Sequence, residues 1–324
     1  MEGAGGAWCE GAVLRFRYAD PHHRLAGVRL WSSAVKADLA FRADLGAWEL
    51  RCARPPVRRL DYHFELTGPA GDRDVTGPAE LRCPGYREPD WLTAAPAAGA
   101  WRRVRLPGMT VRVWSPAAGT DRVLVAHDGP EYAHRGRLAD YTATAIGSGR
   151  VRPYHLVLLE PGSARDRNYS ADPGYARFLA LEALPRIRAR LGAGPVIGTG
   201  VSLGALAMAH AQWRFPESFA GLFLQSGSYF RARLDRQESG FRFFRRIVRF
   251  TGLVRRSKNG PGIPVTLTCG AAEENLANNR DMADALRGQG YAVAFAEYPD
   301  AHTWTGWRDA LHPHLTGLLR RVWT

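Results

Sequence analysis

A β-branched apolar pair, Val196-Ile197, leads into Gly198-Thr199-Gly200-Val201-Ser202-Leu203-Gly204-Ala205, and an alanine-rich, helix-forming run continues to Trp213. A buried strand that turns directly into a helix leaves almost no room at the turn. A Cβ at position 200 or 204 would collide with the opposing arm, so both positions call for glycine. The spacing Gly200-x-Ser202-x-Gly204 therefore predicts a strained strand-to-helix turn, with the Ser202 hydroxyl pushed out over the end of a sheet. The Leu203 N–H, at the start of the helix, points at whatever Ser202 attacks. Gly-x-Ser-x-Gly can arise by chance in a chain with 35 glycines. The strand before it and the helix after it give this copy its meaning.

The chain from about residue 106 supplies a sheet for that turn. Val123-Leu124-Val125-Ala126 and His155-Leu156-Val157-Leu158-Leu159 are continuous apolar runs, as in strands buried on both faces. Thr110 to Trp114 reads as a short alternating strand. A helix is expected from about Asp172 to Leu191, with Pro173 in its first turn. Gly221 to Leu224 and Val265 to Thr268 are further strands. Asn275 to Arg287 reads as a helix, Ala292 to Tyr298 as a strand and Trp304 to Val322 as a closing helix. Strands alternating with helices predict an α/β fold, with a mostly parallel sheet covered on both faces.

The first 83 residues follow a different grammar. Leu14, Phe16 and Tyr18 alternate with arginines, and Val28 to Trp31 and Tyr62 to Leu66 also alternate. Turn residues separate these runs, as at Asp44-Leu45-Gly46 and Gly68-Pro69-Ala70-Gly71. The pattern predicts a small all-β, immunoglobulin-like sandwich. Residues 84–100, rich in Pro, Gly and Ala, read as a linker. The expected organisation is a sandwich and linker over 1–105 and a catalytic domain over 106–324.

One segment breaks the alternation. Residues 228–262 carry ten basic residues against two acidic ones, Asp235 and Glu238, with Phe241, Phe243, Phe244, Ile247, Val248 and Phe250 interleaved. An amphipathic helix with a basic face is expected there, inserted over the mouth of the site. It is either a lid packed on the core or, less simply, a membrane-surface helix.

Composition excludes several classes. The net charge is +13, and 42 of the 44 basic residues are arginine. The charge is spread along the whole chain, and no nucleic-acid-binding signature accompanies it. No apolar run approaches a membrane span, and the first residues lack the basic start and apolar core of a signal peptide. A cytoplasmic protein without stable membrane insertion is the expectation. Cys9, Cys52, Cys83 and Cys269 lack C-x-x-C spacing and read as free thiols. The ten histidines form no metal-ligand pattern, so no metal or organic cofactor is expected.

A serine hydroxyl needs a base, and in strand–turn–helix sites the acid and the histidine follow the serine in that order. His302, in Asp300-Ala301-His302-Thr303-Trp304, lies between the last strand and the last helix. His312 and His314 fall inside the closing helix, and His210 fits a packed or rim position. The acid is expected after strand 265–268, where Glu273 and Glu274 are adjacent. Glu273 is preferred, with Glu274 as the alternative. Asp300 is a weaker candidate. A second oxyanion donor is expected from His127-Asp128-Gly129-Pro130-Glu131-Tyr132. Pro130 has no N–H, which leaves Gly129, Glu131 or Tyr132.

The His127-Asp128-Gly129 loop, Arg167-Asn168-Tyr169, Phe178 to Pro185, the turn, Leu224-Gln225-Ser226-Gly227-Ser228 and Ala301-His302-Thr303-Trp304 with Trp307-Arg308 occur in this order. On these six blocks, residues 106–324 resemble the esterase-D-like, enterochelin-esterase-type α/β-hydrolases. Gly46 to Leu50 and Tyr62 to Phe64 resemble the early-set sandwich that precedes the hydrolase in enterochelin esterases. The resemblance implies a serine esterase that hydrolyses ferric enterobactin-like siderophore esters. Its triad would be Ser202, Glu273 and His302, and its oxyanion hole Leu203 with Gly129 or Glu131. Such complexes are anionic small molecules, and Arg242 and Arg246 of the basic insertion would suit them. The rival readings are a carboxylesterase or acyltransferase on another acyl ester, and a non-catalytic binding protein on the same fold.

Overall fold

The computed structural model describes residues 5–324. The chain forms two compact units. One comprises the residues up to Arg87 with Gly270–Glu273 and Pro299–Thr303; the other comprises Glu88–Cys269, Glu274–Tyr298 and Trp304–Thr324.

The first unit is all β in its N-terminal part. Its strands are β1 (Gly5–Glu10), β2 (Val13–Ala19), β3 (Gly27–Ser32), β4 (Lys36–Asp38), β5 (Ala40–Arg42), β6 (Ala47–Ala53), β7 (Arg59–Thr67), β8 (Arg73–Val75) and β9 (Ala79–Arg82). They form two antiparallel sheets, β1-β2-β6-β5 and β4-β3-β7-β8, with β9 also on β7. The two-residue alternation of β2 turns Leu14 and Phe16 inward, where they meet Leu30, Leu60 and Phe64 of the opposite sheet. Phe16 and Tyr62 touch edge to face at 5.3 Å. On the other face of β2, Arg15 and Arg17 hold Glu49 at 2.7 and 3.1 Å.

The cysteines require a correction. Cys9 and Cys83, expected as free thiols, form a disulfide with their Cα atoms 5.5 Å apart. Cys9 lies on β1 of one sheet and Cys83 just past β9 of the other, so the packing of the two sheets brings together residues 74 positions apart, which local spacing cannot register. Cys52 and Cys269 take no part in a disulfide.

The second unit holds an eight-stranded sheet. Its strands are β10 (Gly99–Leu106), β11 (Met109–Pro116), β12 (Val123–Ala126), β13 (His155–Leu159), β14 (Val196–Val201), β15 (Gly221–Gln225), β16 (Pro264–Gly270) and β17 (Ala292–Tyr298), in the order β10-β11-β13-β12-β14-β15-β16-β17. The run β13-β12-β14-β15-β16 is parallel. The β10–β11 hairpin pairs antiparallel onto β13, so the sheet is mixed. The expected linker over 84–100 runs into its edge strand, which begins at Gly99. Within residues 84–100, Trp91 is fully buried against Tyr141 at 5.4 Å.

The helices are α1 (Gly129–His134), α2 (Leu138–Gly147), α3 (Arg165–Tyr169), α4 (Pro173–Phe178), α5 (Leu184–Leu191), α6 (Leu203–Arg214), α7 (Phe244–Arg256), α8 (Leu276–Gly288), α9 (Trp304–Asp309) and α10 (Thr316–Val322). They cover both faces. Val123 and Val125 of β12 point into one core, with residues of α5, α6, α7 and α8. Leu124 and Ala126 point into another, with residues of α2 and α10. This is why β12 and β13 read as unbroken apolar runs.

Two expectations change in detail. The closing helix is interrupted at His312, whose φ of −109° and ψ of 130° are not helical. Pro313 forces its predecessor into extended backbone. The basic insertion does form an amphipathic helix, α7, but Ile247, Phe250 and Val254 are buried in the protein core. Phe250 packs edge-on against His210 and Trp213 of α6 at 4.8 and 5.8 Å. That apolar face is covered by protein, which removes the membrane-surface reading. Among the described residues no helix is long and apolar enough to cross a membrane.

Candidate active site

Ser202 sits between β14 and α6 with φ 53° and ψ −121°. Non-glycine residues rarely adopt a positive φ, and such strain persists only where the surroundings impose it. Here they do. The Ser202 N–H donates to Gln225 O at 2.9 Å, and Ser202 O accepts from the N–H groups of Leu206 and Ser228, both at 3.2 Å. The glycines are required by contact. A Cβ on Gly200 would lie 2.5 Å from the Gly204 carbonyl carbon, and one on Gly204 would lie 3.0 Å from the His127 Cβ. The Ser202 and Ser228 hydroxyl oxygens are 3.1 Å apart.

Ser228 belongs to a turn clamped by α8. Asn279 accepts the Gly227 N–H at 2.9 Å and donates to Gly227 O at 2.9 Å, and Asn275 donates to Ser226 O at 3.1 Å. Ser226, at φ 48°, anchors the Trp307 indole N–H at 2.9 Å.

The loop after β12 is equally constrained. His127 is fully buried. Its Nδ1 lies 3.0 Å from Gly204 O and its Nε2 2.8 Å from the Tyr175 hydroxyl. Burial pushes its pKa down to about 4, so it stays neutral. Asp128, at φ 50°, is held in a two-point pair by one edge of Arg165: Nε donates to Oδ1 at 2.6 Å and Nη2 to Oδ2 at 2.7 Å. α1 begins at once, and the Tyr132 N–H donates to Asp128 O at 2.8 Å. With Tyr132 occupied, Gly129 and Glu131 remain as candidate oxyanion donors on this loop. The Leu203 N–H opens α6, where the first turn has no intrahelical partners.

In the other unit, the loops that follow β16 and β17 carry Glu273 and His302. Glu273 is buried. Its Oε1 accepts the Gly270 N–H at 2.7 Å, and its Oε2 accepts from His302 Nδ1 at 2.7 Å. The adjacent Glu274 is exposed. Asp300 turns back on its own loop, accepting from the Ala301 N–H at 2.6 Å and the Thr303 hydroxyl at 3.3 Å. A buried carboxylate on Nδ1 fixes the tautomer and leaves Nε2 as the acceptor, which is the geometry of an oriented general base.

The arginines of the insertion divide. Arg242 is exposed and lies over the Phe243 ring at 5.4 Å. Arg246 is built into the chain. Its Nε donates to Ser170 O at 2.6 Å, its Nη1 to Asp172 at 2.9 Å, and its Nη2 to Arg167 O. Sequence reasoning left Ser228, the Asp128–Arg165 pair and the α8 asparagines unassigned. The first lies in Leu224 to Ser228, a block already singled out, so a signal for it was present.

The Esterase family model ("Putative esterase") matches residues 103–318. No curated protein sequence matches the chain. Among solved structures, the enterobactin esterase FES from Shigella flexneri, crystallised with 2,3-di-hydroxy-N-benzoyl-serine, superposes with a TM-score of 0.72 at 16% identity, over 99% of this chain and 97% of that one. Ferric enterobactin esterase from Salmonella typhimurium gives 0.72 at 16% identity, over 99% and 98%. S-formylglutathione hydrolase from Staphylococcus aureus gives 0.52 at 12% identity, over 71% and 98%. At these identities the likeness is one of fold: an α/β-hydrolase-type domain preceded by an all-β region.

Proposed function

This chain belongs to the Esterase family, and from that premise we propose that it is a serine hydrolase of carboxylic esters. Ser202 attacks the ester carbonyl. His302 takes the serine proton through Nε2 and returns it to the leaving alcohol, and Glu273 orients the imidazole and stabilises its charged form. The Leu203 N–H and an N–H of Gly129 or Glu131 receive the oxyanion. The observation that carries the reading is the Ser202 backbone: φ 53° between a fully buried strand and a helix is strain that a plain Gly/Ser loop would have no reason to hold.

The reading requires His302 Nε2 to reach the Ser202 hydroxyl, and a fluorophosphonate probe tests this. Wild type should label and should hydrolyse 4-nitrophenyl esters. Ser202→Ala should do neither, with a rate loss of about 10⁴-fold or more. Full labelling of the alanine variant would remove the assignment.

The finer reading is a ferric enterobactin-like siderophore ester, with release of iron in the cytoplasm. Its support is the likeness to enterobactin esterases over 99% of the chain, together with the exposed Arg242 for an anionic complex. Hydrolysis of iron-loaded enterobactin in preference to neutral aryl esters, followed by mass spectrometry, is the expected result. Preference for the aryl esters would leave a carboxylesterase or acyltransferase of other specificity. The family match without any turnover would favour the non-catalytic reading.

A further inference from the structure

A cleft of about 750 Å³ opens on the second unit, between the β10–β11 turn and the segments that follow β13. That volume is in the range that holds a small organic ligand. Its walls combine two chemistries. Leu106, Met109, Tyr175 and Phe178 give an apolar and aromatic surface, with the two rings half-buried and 6.4 Å apart. Arg105, Arg165 and Arg167 give cationic groups.

The charges do not cancel inside the cleft. Both of its carboxylates are already neutralised by arginines: Glu160 by Arg103 at 2.9 Å, and Asp172 by Arg246 at 2.9 Å. Arg165 is engaged with Asp128 at 2.6 Å. Arg105 and Arg167, both exposed, form no ion pair among the described residues. Two uncompensated guanidinium groups in a concave site focus a field that attracts an anion, and each can hold a carboxylate through two parallel N–H donors.

We infer that this cleft is a recognition site for an aromatic carboxylate, whose ring packs on Tyr175 and Phe178 and whose charge is taken by Arg105 and Arg167. The apolar walls select a flat organic body over a bare inorganic anion. The site also adjoins the loop after β12. Arg165 ties the cleft wall to Asp128, and the Tyr175 hydroxyl lies 2.8 Å from His127 Nε2. A ligand here therefore packs on the same side chains that hold the candidate oxyanion loop. That the bound acid is part of an ester substrate rests on the esterase reading; the binding itself does not.

The test is equilibrium binding without turnover, so its failure and failure of the esterase reading are separate events. ¹⁹F NMR titrations would use 6-fluoro-2-naphthoate and its neutral isostere 6-fluoro-2-naphthalenemethanol. The acid should bind at one site, at least tenfold more tightly than the alcohol. Arg105→Gln/Arg167→Gln should lose at least tenfold for the acid and leave the alcohol unchanged. Arg105→Lys/Arg167→Lys should retain part of the acid's affinity. Arg177→Gln removes one positive charge from a residue outside the cleft lining and should bind as wild type does. Equal affinity for acid and alcohol, an unaffected glutamine pair, or an equal loss in Arg177→Gln would each overturn the inference.

Discussion

Glu273 and His302 meet through one hydrogen bond of 2.7 Å, and the second oxygen of the same carboxylate is held by the Gly270 N–H at 2.7 Å. The carboxylate is thus fixed at both ends, with no side-chain exposure, while 38% of the His302 side chain reaches solvent. Its neighbour Glu274 is exposed. Glu273→Gln keeps the shape but can present its amide N–H to Nδ1, favouring the wrong tautomer. Its kcat on an aryl ester should fall by about 10²- to 10⁴-fold. Glu274→Gln should stay within about twofold, because an exposed charge contributes little. Steady-state kinetics of the two variants decide the matter, and a reversed order would move the acid to position 274.

Asp128 and Arg165 lead to a second expectation. Asp128 is nearly buried, adopts a left-handed backbone and directly precedes the Gly129 N–H. Removing Arg165 leaves a buried carboxylate without its counter-charge. Arg165→Gln should reduce kcat by roughly 10- to 100-fold, less than the ~10²- to 10³-fold that outright loss of an oxyanion donor costs, and KM for a small neutral ester should barely move. Asp128→Asn should act similarly, and the double variant should be little worse than either single one. Additive losses would mean that the pair does not act as a unit.

How much of this was legible from residues alone follows from the range of the interactions. The Ser202 turn was legible because its cause is local: Gly200 and Gly204 lie within two residues of Ser202 and are demanded by contacts of 2.5 and 3.0 Å. The core of β12 was legible because burial on both faces removes any alternation. The Cys9–Cys83 disulfide was not, since the packing of one sheet on the other, rather than spacing, brings the two together. Strand β10 was hidden by composition: Gly99 and Ala100 start a strand whose residues are mostly exposed, so no apolar pattern marks it. Between Glu273 and Glu274 only the fold chooses, because adjacent residues differ in which way they face and not in chemistry.

Arg242 and Arg246 look alike in the sequence and should behave differently. Arg246 donates to Ser170 O, Asp172 and Arg167 O, tying α7 to the segment between α3 and α4. Arg246→Gln should destabilise the protein by about 1–3 kcal/mol, the usual range for lost hydrogen bonds to a charged group. Arg242→Gln should leave the denaturation midpoint in place and raise KM only for anionic esters. That rise should vanish as salt is added, since exposed charges are screened over about 10 Å at 0.1 M. Equal shifts of KM on neutral and anionic esters would assign Arg242 no part in recognition.

His210 carries the last expectation, on pH. It is 4% exposed on α6, with its ring against Phe250. Burial, reinforced by the Arg214 charge, pushes its pKa down to about 4. In the unfolded chain it returns to an ordinary value near 6.5. Between these two values the unfolded state binds the proton and the folded state does not, so stability falls as pH drops. Its contribution is fully present above pH ~6.5 and lost as pH falls through about 4. The pKa gap corresponds to ~3 kcal/mol as an order of magnitude. His127, lowered for the same reason, adds a parallel loss. His210→Phe keeps the aromatic contact and removes the titrating group. It should match wild type at pH 8 and exceed it at pH 5, where denaturant midpoints measured at both values give the difference. Identical acid sensitivity in the two proteins would mean that position 210 does not contribute to it.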